Sequence, residues 1–237
     1  MIESGVNMKI KWIGQSGYIL NDGTNEICID PYLSDVVNRI AQRPRVVEAP
    51  FLPEELKSDV VICTHNHLDH VDIDSITLMK KEDMLFLAPT DAKKQLIECG
   101  VINFKTFDEG ESVSTGCFEL KAVFADHTVP AIGVIVKHNG ITMYFSGDTE
   151  YNEKLDDLRK YNIDIMFICI NGKLGNMNVD EAVKFTKIIN PKVGIPTHYG
   201  MFESNTENPK NYTSNIDCGF EMEYNKEYDI SEVLENV

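Results

Sequence analysis

The stretch Thr64-His65-Asn66-His67-Leu68-Asp69-His70 places three imidazoles and one carboxylate within six consecutive positions. Histidine is the commonest metal ligand, and a carboxylate beside it suits borderline or hard divalent ions. A helix could not turn all four side chains toward one point at this spacing, so a loop is predicted. The alternative is a polar surface turn that happens to hold histidines. Because three of only six histidines in the chain fall here, the pattern favours a metal site.

The residues on either side of this loop predict what supports it. The β-branched run 59–63 is typical of a buried strand. After the loop, Asp72 or Asp74 can cap a helix over residues 75–80. The loop therefore leaves the end of a strand at the mouth of a sheet, which is where ligands bind in layered α/β folds.

Length, composition and charge limit the classes of protein that the chain can belong to. The chain has 237 residues, 43% of them hydrophobic, and a formal net charge of −16. We expect one α/β domain over residues 1–237. The negative charge disfavours nucleic acid as a partner. There is no apolar run of membrane-spanning length, no basic-plus-apolar leader and no CxxC pair, so we expect a cytoplasmic protein without a membrane partner and with reduced cysteines. The sequence leaves open whether the protein forms a homo-oligomer.

The remaining periodicity predicts a mixture of parallel and antiparallel pairing. Strands are predicted over residues 8–14, 18–20, 26–30, 84–88, 117–125, 132–138, 141–146, 164–170 and 192–196, the first of them at a sheet edge. Helices are predicted over residues 91–98, 153–160 and 179–189, and the chain from residue 199 onward is polar with weak periodicity. This order indicates two mixed sheets packed together with helices outside.

Three further strand ends carry a residue that can bind metal. His127, Asp148 and His198 each follow an apolar run directly. Each residue alone is weak evidence for a metal site. A lone histidine at a strand end is more often structural, and Asp148 could cap the helix that begins near Glu153. Together they place five of the six histidines at strand ends. The exception is His138, which precedes a predicted hairpin turn and is expected to be exposed.

The order His65-x-His67-x-Asp69-His70, His127, Asp148, His198 resembles the metallo-β-lactamase superfamily. The resemblance implies a four-layer αββα sandwich of two mixed β-sheets with a two-metal site. It assigns one metal to His65, His67 and His127, assigns the other to Asp69, His70 and His198, and makes Asp148 the bridge. It also matches Asp30 to a carboxylate that orients a ligand imidazole. The alternative for Asp30 is a helix or turn cap before Pro31.

Four shorter stretches resemble the branch that includes the L-ascorbate-6-phosphate lactonases. They are residues 12–17, 23–30, 146–148 and 192–198. This resemblance implies hydrolysis of a small anionic ester or lactone, with a sugar-acid phosphate lactone preferred, and tilts the choice between Zn and Mn toward Mn. The same branch holds lipid phosphodiesterases, so a phosphodiesterase acting on a nucleotide or lipid is the alternative. A non-catalytic protein whose metal site stiffens the fold is a third reading.

A two-metal site also predicts the chemistry. Two divalent ions can share a water, lower its pKa and supply hydroxide at neutral pH, so no serine or cysteine nucleophile is needed. We name Asp69 and His198 as the catalytic residues. Asp69 could orient the water or take its proton if its free oxygen faces it.

Substrate binding is predicted from two features of the chain. Guanidinium groups bind phosphate and carboxylate in bidentate fashion, and three of the four arginines lie in the long connection 31–58; they are Arg39, Arg43 and Arg45. The alternative is that they pair with nearby glutamates or a neighbouring subunit. Tyr199 directly follows His198 and is a candidate hydrogen-bond donor to a substrate oxygen. Its alternative role is packing against the sheet edge.

Overall fold

The computed structural model describes residues 8–235. Its strands are β1 (Lys9–Gly14), β2 (Gly17–Asn21), β3 (Glu26–Ile29), β4 (Val60–Ile62), β5 (Leu85–Ala88), β6 (Phe104–Thr106), β7 (Ser112–Thr115), β8 (Phe118–Phe124), β9 (Ile132–His138), β10 (Ile141–Phe145), β11 (Ile165–Cys169), β12 (Val193–Thr197) and β13 (Glu227–Asp229). Its helices are α1 (Val36–Ala41), α2 (Ile73–Leu78), α3 (Lys93–Glu98), α4 (Val179–Ile189), α5 (Lys210–Thr213) and α6 (Ile230–Glu235).

The described strands form two mixed sheets, as predicted. The first sheet has the order β13-β1-β2-β3-β4-β5-β6, antiparallel from β13 to β3 and parallel from β3 to β6. The second has the order β12-β11-β10-β9-β8-β7, antiparallel from β7 to β10 and parallel from β10 to β12. Helices flank the sheets, which confirms the predicted α/β sandwich. Among residues 8–235, every helix is too short or too polar to cross a membrane.

Aromatic side chains join the two sheets across the core. The rings of Phe145 and Phe167, from neighbouring strands of the second sheet, stack with centroids 4.2 Å apart. Tyr18 from the first sheet contacts both, at 5.3 Å and 4.7 Å. All three side chains are buried. Burial of such large rings is the main source of stability in a sandwich of this kind, and it fixes where the strand ends of one sheet lie against those of the other.

The structure corrects several predicted elements. Strand β1 is not at a sheet edge, because β13 from the weakly periodic C-terminal region pairs along its outer side. Helix α2 begins at Ile73, two residues earlier than predicted, because the side chain of Asp72 accepts a hydrogen bond from Ser75 N. The segment Glu153–Tyr161 is a 3₁₀ helix, and its N-cap is Asn152 rather than Asp148.

His138 is buried, so the prediction of an exposed hairpin residue is wrong. Its side chain is only 3% exposed. The ring packs on Phe118 with centroids 4.6 Å apart, and Nε2 lies 3.2 Å from Oδ2 of Asp22. The hairpin that carries His138 thus packs against the β2–β3 turn of the other sheet, a contact between distant segments that local periodicity cannot predict.

Candidate metal centre

The predicted metal ligands come together at one end of the sandwich. The loop 64–70 follows β4, His127 follows β8, Asp148 follows β10 and His198 follows β12. Because each segment leaves a buried strand, the two packed sheets bring the four segments to one place. Three overlapping groups there could hold a metal ion: His65 with His67 and His127, His65 with His70 and Asp148, and Asp69 with His70 and His198.

In the first group, three ring nitrogens converge on one point. Nδ1 of His67 lies 3.0 Å from Nε2 of His65 and 3.2 Å from Nε2 of His127. Two imidazole nitrogens bound to one tetrahedral zinc ion at ordinary bond lengths are roughly 3.3 Å apart. The spacing therefore matches three ligands of a single ion.

The group of Asp69, His70 and His198 is looser and contains the carboxylate of the loop. Oδ2 of Asp69 lies 3.5 Å from Nε2 of His198 and 3.8 Å from Nε2 of His70. Both histidines are fully buried, whereas the Asp69 side chain is partly exposed. The group thus offers two nitrogens and one oxygen, and Asp69 is the member that solvent reaches.

Asp148 lies between two ligand groups, one formed by His65, His67 and His127 and the other by Asp69, His70 and His198. Its Oδ1 is 3.3 Å from Nε2 of His70, and its Oδ2 is 3.2 Å from Nε2 of His198 and 4.0 Å from Nε2 of His127. One carboxylate therefore reaches histidines of both groups, the arrangement that a bridging ligand requires.

Two buried atoms test whether this site fits a metal. Nε2 of His70 and Oδ1 of Asp148 have no hydrogen-bond partner within residues 8–235. A buried polar group without a partner is costly, and such groups in native proteins have a reason. Nitrogen and carboxylate donors are the set preferred by ions such as zinc and manganese. The residues present therefore fit divalent metal ions.

Asp30 accepts a hydrogen bond from the ring nitrogen of His70 that points away from Asp148. Nδ1 of His70 donates to Oδ2 of Asp30 at 2.7 Å, and both side chains are fully buried. Thr64 donates to the same carboxylate from its backbone N and from Oγ1, each at 2.7 Å. Asp30 thus fixes the ring orientation of His70 and directs Nε2 toward Asp148.

Gln15 belongs to the site, although its role was not predicted. Its Nε2 donates to Oδ2 of Asp69 at 2.8 Å and lies 3.2 Å from Nε2 of His198. The backbone is held as well, because Gln15 O accepts from His198 N at 3.1 Å and from Thr197 Oγ1 at 2.8 Å. The sequence signals for it are the Gly14-to-Gly17 turn and the family-like stretch 12–17, and neither indicates the distant partner.

A family model described as a Beta-lactamase superfamily domain matches residues 25–199. The chain belongs to the metallo-β-lactamase superfamily. An Archaeoglobus fulgidus protein named UPF0173 metal-dependent hydrolase is 28% identical over 220 residues, or 86% of this chain and 89% of that protein. An Oenococcus oeni protein of the same name is 27% identical over 241 residues, or 94% of this chain and 100% of that protein. The chain is accordingly a metal-dependent hydrolase.

Solved structures confirm the metallo-β-lactamase fold. A possible metal-dependent hydrolase from Veillonella parvula has a TM-score of 0.78 at 18% identity, covering 94% of this chain and 98% of that one. An isothiocyanate hydrolase from Delia radicum gut bacteria has a TM-score of 0.77, also at 18% identity, covering 93% of this chain and 98% of that one. At these identities the likeness concerns the fold alone.

The two groups of this metallo-β-lactamase site differ in charge when no metal is bound. Burial lowers the pKa of His65 well below its ordinary value, and it also lowers the pKa of His67. Burial alone would likewise lower the pKa of His198, but the carboxylates of Asp148 and Asp69 outweigh it and raise the pKa to about 9. The nitrogens of His65 and His67 are therefore free of an extra proton at neutral pH, whereas His198 must lose one to bind metal.

The carboxylates of Asp69 and Asp148 remain ionised because histidines lie close to them. Burial works against the charged form of Asp69, yet His70 and His198 outweigh it and hold the pKa of Asp69 below its ordinary range. The pKa of Asp148 is also lowered well below its ordinary value, with burial outweighed by the same two histidines. Both aspartates can therefore act as anionic ligands at neutral pH.

The three candidate arginines lie in different surroundings. Arg39 makes a bidentate ion pair with Asp74, at 2.9 Å and 2.6 Å, on an exposed surface. Arg45 donates to backbone carbonyls and lies 5.1 Å from the ring centroid of Tyr32. Arg43 alone of the three lines the cavity in front of the metal ligands. The structure therefore separates the predicted cluster and leaves one arginine beside the site.

Tyr199 lies in the core rather than in that cavity. It is 9% exposed, and its ring contacts Trp12 with centroids 4.8 Å apart. The cavity itself measures about 440 Å³, and its lining includes His67, Asp69 and His198. Since the sharp turn at His198, with φ 62°, aims the next side chain away, the position beside a ligand does not bring Tyr199 to the cavity.

Proposed function

We propose that this chain hydrolyses a small anionic ester or lactone with two divalent metal ions, manganese or zinc. The observation that carries the proposal is the position of Asp148, whose oxygens lie 3.3 Å and 3.2 Å from His70 and His198 of one ligand group and 4.0 Å from His127 of the other. Bound there, two ions supply an activated water at neutral pH and polarise the bond to be cleaved. His65, His67 and His127 would hold one ion, and Asp69, His70 and His198 the other.

Asp69 is the residue best placed to orient the attacking water. Gln15 holds one of its oxygens at 2.8 Å, and the side chain faces the cavity. Because its lowered pKa keeps Asp69 ionised, it can accept a hydrogen bond from water, but it is a weak base. Its contribution is therefore orientation, with Gln15 as the residue that positions it.

The cavity and its charge support an anionic substrate of small size. A volume of about 440 Å³ is within the range of small-molecule sites. Arg43 offers a guanidinium at its lining. The more specific substrate that we propose to test first is a phosphorylated sugar-acid lactone. Long nucleic acids remain disfavoured by the net charge of −16.

The test is a screen of lactones, esters and phosphodiesters with protein from which metal has been removed and then replaced by Mn or Zn. We expect hydrolysis of at least one lactone or carboxylic ester, restored by metal and abolished by chelator. Turnover of phosphodiesters without any turnover of lactones or esters would replace this proposal by a phosphodiesterase. Full activity in chelator would reject the metal-dependent chemistry altogether.

A further inference from the structure

The cavity in front of the metal ligands combines one permanent cation with apolar walls. Arg43 is the only lysine or arginine among the described residues that line it. The apolar lining comes from Val37, Ala41, Leu68 and Leu174. A substrate bound in this cavity meets hydrocarbon from these four residues, the polar side chains of Asn66, Thr128 and Asn205, and a guanidinium at one place.

The chain segment that carries Arg43 is fixed in place beside the cavity. Pro44 restricts the backbone of Arg43 toward an extended conformation. The next residue is anchored, because Arg45 donates to Ser34 O at 2.8 Å and to Val47 O at 2.7 Å. Within residues 8–235, Arg43 makes no hydrogen bond or ion pair of its own. Its guanidinium is therefore available to a ligand.

Leu174 is held over the cavity in an unfavourable conformation. Its φ is 58° and its side chain is 55% exposed, so neither the backbone nor the side chain is in a preferred state. Both neighbours are anchored: Lys173 Nζ donates to Ser204 O at 3.0 Å, and Gly175 O accepts from His127 Nδ1 at 2.8 Å. Strain of this kind collects at ligand clamps, where the surroundings enforce it.

We propose that the substrate is an amphiphilic monoanion, whose hydrocarbon body packs on Leu174 and whose anionic group binds Arg43. The inference rests on the proposed function, because the scissile bond must reach the metal ligands. One guanidinium matches one carboxylate in bidentate fashion. A hydroxyl group that a polyhydroxy substrate such as a sugar-acid lactone placed against Val37, Ala41, Leu68 or Leu174 would lack a partner, so within the proposed class of substrates the inference favours a hydrocarbon body.

A matched pair of chromogenic esters separates the two contacts. Mono-4-nitrophenyl adipate and 4-nitrophenyl hexanoate carry acyl chains of equal length, and only the first has a distal carboxylate. Arg43→Gln should lower kcat/KM for the adipate ester about tenfold, the scale of one charged hydrogen bond, and change the hexanoate ester less than about twofold. Arg159→Gln, on the 3₁₀ helix Glu153–Tyr161, makes the same change in net charge and is the control.

The hydrocarbon contact has its own variant and control. Leu174→Ala should lower kcat/KM about fivefold for both six-carbon esters and leave 4-nitrophenyl acetate nearly unchanged, because the short acyl chain does not reach the leucine. Leu78→Ala removes a leucine of similar exposure, 53%, from the end of α2 and should change none of the three esters.

A binding measurement keeps the inference testable apart from catalysis. Calorimetric titration of chelator-treated protein with hexanoate should give a Kd that rises about tenfold in Arg43→Gln and stays unchanged in Arg159→Gln. If wild type hydrolyses none of the esters but shows this binding pattern, the proposed function fails and the amphiphilic site stands. Equal loss on the adipate and hexanoate esters, or hexanoate that does not bind or binds Arg43→Gln as well as wild type, would overturn the inference.

Discussion

His70 donates from Nδ1 to Oδ2 of Asp30 at 2.7 Å, and neither side chain is exposed to solvent. Because this hydrogen bond occupies Nδ1, the ring can offer only Nε2 to a metal. Nε2 in turn lies 3.3 Å from Oδ1 of Asp148. A residue that binds no metal itself thus decides which nitrogen of a ligand faces the site.

Asp30→Asn should lower metal affinity roughly 10- to 100-fold while the protein stays folded, because the amide orients His70 less firmly. Competition with a chromogenic chelator measures the affinity. Asp22→Asn is the matched control, since Asp22 pairs with His138 at 3.2 Å and that histidine is not in any group that could hold a metal. Unchanged metal affinity in Asp30→Asn would show that its carboxylate does not support the ligand.

His127→Ala and His198→Ala should each remove one metal ion and lower kcat by more than about a hundredfold, because each side chain is one of few bonds to its ion. Elemental analysis and steady-state kinetics provide the two readouts. His138→Ala should keep full metal content and lose stability, by about 1–3 kcal/mol, because its ring is buried against Phe118. Normal metal content in His127→Ala would remove that residue from the site.

Gly175→Ala should disturb metal binding through His127. The glycine has φ 89°, and a Cβ there would lie 2.8 Å from Nδ1 of His127. Gly110→Ala is a control for backbone strain alone, because its φ is 92° and a Cβ there would meet nothing within 4 Å. Both variants should lose about 1 kcal/mol of stability from the left-handed conformation. Only Gly175→Ala should lose metal affinity, and equal affinities in the two variants would contradict this prediction.

The stability of metal-free protein should fall as the pH rises from about 6.5 to about 9. The pKa of His198 is raised to about 9, above the ordinary value of about 6.5 that it has when unfolded. The folded state therefore binds more protons in this window, and the stabilisation present below pH 6.5 is lost as the pH passes 9. Thermal unfolding in chelator measures the trend. His198→Gln should make the decline shallower without removing it, because Asp30 and Asp148 outweigh burial and raise the pKa of His70 as well. A Tm that rises over the same window would refute the assignment.

The sequence predicts those parts of the site for which the signal lies within one short segment. The run 59–63 predicts a buried strand, and the histidines after it predict a ligand loop, because both signals lie within a dozen residues. The other ligands are predicted by the same pattern of an apolar run followed by His127, Asp148 or His198. The two mixed sheets follow from the order of these strands, so the fold and the metal ligands could be anticipated together.

What the sequence could not predict depends on contacts between distant segments. Gln15 reaches Asp69 because the β1–β2 turn and the loop after β4 lie at one end of the first sheet, and His138 is buried because it packs against the turn that holds Asp22. Strand β13 has three residues, too few for a periodic pattern, and it pairs with β1 across almost the whole chain. Arg43 and Arg45 are neighbours in sequence, yet their surroundings differ because one is anchored to backbone carbonyls.

The number of metal ions per chain tests the central claim most directly. Metal-free protein can be titrated with Mn or Zn while bound metal is counted and hydrolysis of a responsive ester or lactone is followed. The position of Asp148, within 3.3 Å of His70 and His198 of one ligand group and 4.0 Å from His127 of the other, predicts two equivalents per chain and full turnover only when both are bound. Saturation at one equivalent, or turnover that persists in chelator, would contradict the two-metal account.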